Sequence, residues 1–358
     1  MASTFPAQAG GTRWLHGSLA DPRGAIGGAR FDALLLWGCP LASMLAVWLW
    51  IGGAALLPTH LQASAIAAIA VGVSILTFAH LIAVVPRAYL NREVFDSNRR
   101  RLTIVPVLLI AALLVSPALL VCAGVLAVFW DVHHSAMQTF GLARIYDMKA
   151  GNGALELRRT DLRLNWALYV GPIAAGASLA AHLASLNDFG SLGWSAITAL
   201  PSLAQSHVAG IAEAAIAAWL AIVGWAAFDY RAAIARGYRF PVHKAALLGA
   251  TATVSIAAWG LATPVVAFAI INLFHAVQYF ALVWLKEGGR MRAGTAKLAA
   301  GRGAGWPALA LFLTLCLGFG FAYQYGKDLR WLAGPFVACS LLHFWFDSFV
   351  WSVRRNQV

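Results

Sequence analysis

The run Phe129-Trp130-Asp131-Val132-His133-His134-Ser135-Ala136-Met137-Gln138 sets an acid, two imidazoles and an amide inside one of the most apolar parts of the chain. An ionisable group at bilayer depth costs at least ~2.5–3.5 kcal/mol on insertion scales, so these side chains need partners or a bound ion. At helical spacing Asp131, His134 and Gln138 (i, i+3, i+7) share one face, and His133 lies about 100° round, beside Trp130 and Met137. One helix thus offers one or two imidazoles. The other donors must come from elsewhere, and three stretches qualify: His80, His275 with Asn272, Gln278 and Tyr279 around it, and His343 with Asp347 one turn on. Nitrogen and carboxylate donors without a thiolate suit iron, with zinc or copper as alternatives. On this reading His80, His133, His134, His275 and His343 are candidate ligands. Asp131, Asp347 and Tyr279 are candidate proton-handling groups, while Gln138, Gln278 and Asn272 steady the imidazoles.

The elements that must position them are membrane helices. Of 358 residues, 61% are hydrophobic and 11% charged, whereas a soluble domain has roughly 45–50% apolar and about 25% charged residues. Apolar runs of spanning length recur throughout, so the expected fold is all-α: a polytopic transmembrane helical bundle. The runs predict about ten spans, near 33–57, 61–85, 103–115, 117–145, 164–186, 208–228, 245–262, 264–285, 306–323 and 331–353. A short arm over 1–32 precedes one membrane domain over 33–358. Tight breaks fall at Ser116-Pro117 and Thr263-Pro264, and a short interfacial helix is expected around 194–203.

The formal charge of +12 does not point to nucleic acid. Lys and Arg gather in short loops between apolar runs, as the positive-inside rule requires, which puts both termini in the cytosol of a bacterial-type inner membrane. Arg13, Arg23 and Arg30 precede the first span, Arg87 to Arg101 form a basic loop after the second, and Arg354-Arg355 close the last. Arg87 and Arg92 either hold an anionic substrate headgroup near the site or only orient the spans. The four cysteines lie in separate apolar runs with no CxxC spacing, so neither a disulfide framework nor a thiolate site is expected. Gly301-Arg302-Gly303 follows no strand and reads as a loop, not a nucleotide motif.

With this topology the candidate histidines all sit on spans running toward the cytosol, and their depth can be counted. His80, His134, His275 and His343 precede the next cytosolic charge by seven, ten, eleven and eleven residues, which is about 10–17 Å at 1.5 Å per residue. Four helices therefore carry imidazole to nearly one level, where independent core histidines would scatter. His16, His60, His182, His207 and His243 read as solvated or interfacial. A faint repeat links His134 and Gln138 after Ser-Pro with His275 and Gln278 after Thr-Pro.

This layout resembles the histidine-rich membrane iron oxygenases, the fatty-acid desaturases and hydroxylases and the Brp/Blh-type carotene dioxygenases. The nearest match to a desaturase histidine box, Asp131-Val132-His133-His134, lacks the leading histidine. The resemblance implies a mono- or dinuclear non-haem iron oxidoreductase acting on a lipid-soluble small molecule, with a separate electron donor. The alternatives are a haem held between facing helices, or a proton or metal transporter lined by the same His, Asp and Gln residues.

Overall fold

Proline and small polar residues set where the helices begin. The computed structural model describes residues 14–298 and 305–351, of 297 and 298 the backbone alone. Arg13, the Gly301–Gly303 segment and Arg354-Arg355 lie outside the described residues. The helices are α1 (Ala29–Leu35), α2 (Cys39–Ala55), α3 (Thr59–Leu81), α4 (Arg92–Val115), α5 (Pro117–Lys149), α6 (Arg158–Ala175) and α7 (Leu179–Ala184). They continue as α8 (Ser195–Thr198), α9 (Leu200–Ser206), α10 (Val208–Ala235), α11 (Val242–Ser255), α12 (Pro264–Leu298), α13 (Gly305–Gly326) and α14 (Arg330–Val350). Among the described residues there is no strand, only an isolated bridge between His16 and Pro241.

The Ser-Pro break behaves as a helix start should: the Ser116 hydroxyl accepts from Leu119 N and Pro117 fills the first helical position. The stretch expected as a basic loop is helical instead. After α3 the chain tightens over Ile82–Val84, widens over Pro86–Leu90, and restarts at Asn91, whose side chain accepts from Val94 N. The arginines at 99–101 thus belong to α4, which kinks at Asn98. The expected fifth span is also not straight, since α6 and α7 meet at 87°. Gly176 causes the close approach there: a Cβ on it would lie 2.4 Å from Gly260 Cα.

Among the described residues seven helices are long and apolar enough to cross a membrane, or nine if the bent pairs α1–α2 and α6–α7 each count as one span. The expected ten differ by α4, which is apolar only from Leu102 onward. This is a multi-pass helical membrane protein. Its buried apolar side chains form two large clusters, one around α2, α5, α6, α11 and α12, the other around α3, α4, α12, α13 and α14. The long helix α12 is the most enclosed of the spans and contributes to both clusters, whereas α10 is peripheral. The histidine-bearing faces meet where the two clusters adjoin.

Candidate metal centre

α3, α5, α12 and α14 bring His80, His134, His275 and His343 together. Adjacent ring centroids are 4.8 to 5.0 Å apart around the set, and His80 faces His134 across it at 6.5 Å. All four are buried, none more than 4% exposed. One nitrogen of each of His80, His134 and His275 falls within a 4.8 Å group, and a second such group joins His134, His343 and Asp347.

The hydrogen bonds show how the donors are aimed. His343 Nδ1 donates to Leu81 O at 2.8 Å, the carbonyl just past His80. The neutral ring therefore keeps a lone pair on Nε2, which stands 3.1 Å from His134 Nε2. Two nitrogens 3.1 Å apart, each about 2.1 Å from a shared ion, subtend roughly 95° there, a normal angle between neighbouring ligands. Without an ion the same pair can share one proton in an N–H···N hydrogen bond. That leaves His80 and His275 unexplained: among the described residues neither nitrogen of His275 has a hydrogen-bond partner, and His80 has only the Leu76 and Thr77 carbonyls of its own helix beside it, neither well aligned. Buried imidazole nitrogens without a well-formed hydrogen bond are costly unless something ligates them.

A ring of further contacts holds the donors. Asp347 Oδ2 lies 3.8 Å from the Nε2 atoms of His134 and His343, while its Oδ1 accepts from Tyr279 OH at 2.7 Å and Trp351 Nε1 at 3.1 Å. Gln138 Nε2 donates to His275 O and to Gln278 Oε1, and Gln278 donates to Leu36 O at 2.6 Å. Gln138 and Gln278, the two glutamines of the faint repeat, thus meet directly. Among the described residues Asn272 bonds back to Phe268 O on its own helix and to none of the imidazoles.

The other candidates stand apart. His133 is not one of the four clustered rings: it packs against Trp166 of α6, with ring centroids 5.1 Å apart, and lines the cavity beside His134. Asp131 makes no side-chain hydrogen bond to a described residue and neighbours Tyr169 of α6. Arg87 is buried, pairs with Glu287 at 2.6 Å, donates to Val350 O and lies over Trp351. Its guanidinium ties α12 and α14 to the chain after His80 and does not face bulk water. Arg92 is exposed at the start of α4. His182 and His243, expected at the interface, are buried at 3% and 2%, because α7 folds back against Trp259 and Phe268 and His243 stacks on Tyr146.

A cavity of about 450 Å³ reaches the site from one side. Its lining includes His134, Tyr279 and Asp347 of the site, the apolar Trp130, Met137, Phe344 and Trp351, and Leu155 and Arg158 from the α5–α6 connection and the start of α6. Its walls are mainly apolar, as a lipid-soluble ligand requires.

Sequence reasoning missed a buried ionic cluster beside this cavity. Arg144 bridges Asp147 and Asp161, Lys244 Nζ contacts Asp147 at 2.8 Å and Asp161 at 2.6 Å, and Tyr230 and Tyr238 donate to the two acids. Arg144 and Lys244 read as loop charges; the i, i+3 pairing of Arg144 with Asp147 was the available signal. Tyr238 lies between α10 and α11, outside the spans, where burial and then the Asp147 carboxylate push its phenol above the ordinary value and keep it a donor. Compared with known proteins, the chain matches no family model, no curated protein and no solved structure.

Proposed function

We propose that this protein is a metal-dependent oxidoreductase of the membrane, with non-haem iron held by His80, His134, His275 and His343 and a lipid-soluble substrate in the adjoining cavity. The observation that carries the reading is that the buried rings of His80 and His275, whose nitrogens make no well-formed hydrogen bond among the described residues, face the His134–His343 pair. Iron bound there would supply oxygen activation. The residues do the rest: Leu81 O fixes the His343 tautomer, Gln138 and Gln278 brace the backbone of α12 at His275, and Tyr279, hydrogen-bonded to Asp347 at the cavity wall, holds a proton beside the ligands. The largely apolar walls suit a lipid-soluble substrate and exclude bulk water from it. Electrons come from a separate partner.

A haem fits less well, because rings packed edge to face leave no slot for a flat macrocycle between them. Zinc or copper would use the same donors. Counting the apolar half of α4 as a tenth crossing puts both termini on the side of the arginine-rich loops. Metal analysis of protein purified without oxygen tests the reading. We expect about one or two irons per chain, lost in His134→Ala, His275→Ala and His343→Ala; a metal-free protein with full activity overturns it.

A further inference from the structure

A second polar assembly lies away from the four histidines, along α6, α7 and α11. Helical Ser and Thr ordinarily satisfy themselves on the carbonyl one turn back, and here Thr103, Thr253 and Ser340 do so. Thr251 and Ser255 do not: among the described residues their hydroxyls have no partner, and both are fully buried. The same holds for Ser178 Oγ, Asn165 Oδ1 and Trp259 Nε1. His182 donates from Nδ1 to Ser178 O at 2.8 Å, which leaves a lone pair on Nε2, also buried and unpartnered.

These groups are ordered along the bundle. Thr251, Ser255 and Trp259 occupy successive turns of α11 and its continuation, with Lys244 at the start of the same helix. Asp161, Asn165 and Tyr169 occupy successive turns of α6, which packs on α11, and Tyr169 shares a hydrogen bond with Thr139. At the far end Ser178 N meets Trp259 O, and the His182 ring lies 5.1 Å from Trp259. From Lys244 to Trp259 the rise is about 22 Å at 1.5 Å per residue, most of the roughly 30 Å hydrocarbon core. A transmembrane pathway needs polar groups strung along the length of the spans, as this string is, whereas the four histidines gather at one level.

We infer that α6, α7 and α11 enclose a chain of ordered water that conducts protons between His182 and the Asp161–Lys244–Asp147 cluster. Buried polar groups this regular are the usual partners of internal water. Hydroxyl, amide and imidazole each accept one hydrogen bond while water passes another, so a proton entering at one end releases one at the other with no net chemistry. The ligand is water and the cargo is the proton.

Full-length protein in liposomes, with a pH-sensitive dye inside and a potassium-valinomycin potential, tests this. Flux should exceed that of empty liposomes and fall at least tenfold in Thr251→Val/Ser255→Ala, which keeps the shape and removes both hydroxyls. Thr251→Ser should keep it. Unchanged metal content and elution in the double variant separate loss of the pathway from misfolding and from the metal reading. Wild-type flux no higher than empty liposomes, or equal flux in the double variant, overturns the proposal, as does a high-resolution map in which both hydroxyls bond helix carbonyls and no water lies beside them.

Discussion

At the residue scale the decisive feature is which nitrogen of each imidazole is free. Leu81 O fixes that choice for His343, and Asp347 stands within 4 Å of two Nε2 atoms without taking a hydrogen bond from either. Asp347 is therefore held by Tyr279 and Trp351 beside the donors proposed to bind the ion. Replacing it with Asn should weaken metal binding by about 10–100-fold, measured by competition with a chelator, whereas Tyr279→Phe should retain the metal and alter its EPR spectrum. The ionic cluster gives a second test. Lys244 is fully buried between two carboxylates, so Lys244→Met should cost about 3–5 kcal/mol by leaving one acid charge uncompensated, read as a lower thermal midpoint. Asp161→Asn/Lys244→Met should recover part of it. The histidines were legible because polar groups in apolar runs stand out and depth can be counted along a helix. Lys244, Arg144 and Asp161 were not, because a charge near a span end has the same local signature whether it turns outward to water or inward to a partner.

At the scale of elements, the site depends on how closely helices approach. α3 carries His80, and α13 lies directly against it through Gly320, where a Cβ would stand 2.0 Å from Ile75 O. Gly320→Ala should force α13 off α3 at about 1–3 kcal/mol and, by shifting His80, lower iron occupancy measurably; unchanged occupancy would mean that α3 is held by other contacts. Ser116-Pro117 and Thr263-Pro264 could be placed from sequence, since Pro fixes a helix start wherever it follows a capping residue. The bend after α6 could not. It is set by Gly176 meeting Gly260, a contact between distant parts of the chain, and it is this fold-back that buries His182. The Arg-rich first half of α4 likewise looked like a loop from its charge, although the Asn91 cap and Glu93 in the first turn favour a helix.

At the scale of the whole molecule the chain divides its polar investment between two places. The four histidines lie where the two apolar clusters adjoin, and the hydroxyl string lies within the cluster that holds α6 and α11. Both need the bundle to cross the bilayer with the α5–α6 connection on the arginine-rich side. A single cysteine in place of Glu156 should then react with a membrane-impermeant maleimide from the cytosolic side only, and one in place of Ser191 from the opposite side only. The class of molecule was legible from composition alone, since 61% hydrophobic residues leave no soluble alternative. The number of crossings was less so, because a short arm such as α4 and a bent pair such as α6–α7 blur the length rule. X-ray absorption at the iron edge of the purified protein tests the central claim most directly. A first shell of nitrogen and oxygen at about 2.1 Å with the outer scattering of three or four imidazoles is expected, and no iron edge in His275→Ala. A protein without bound metal, or a shell with no imidazole scattering, would contradict it.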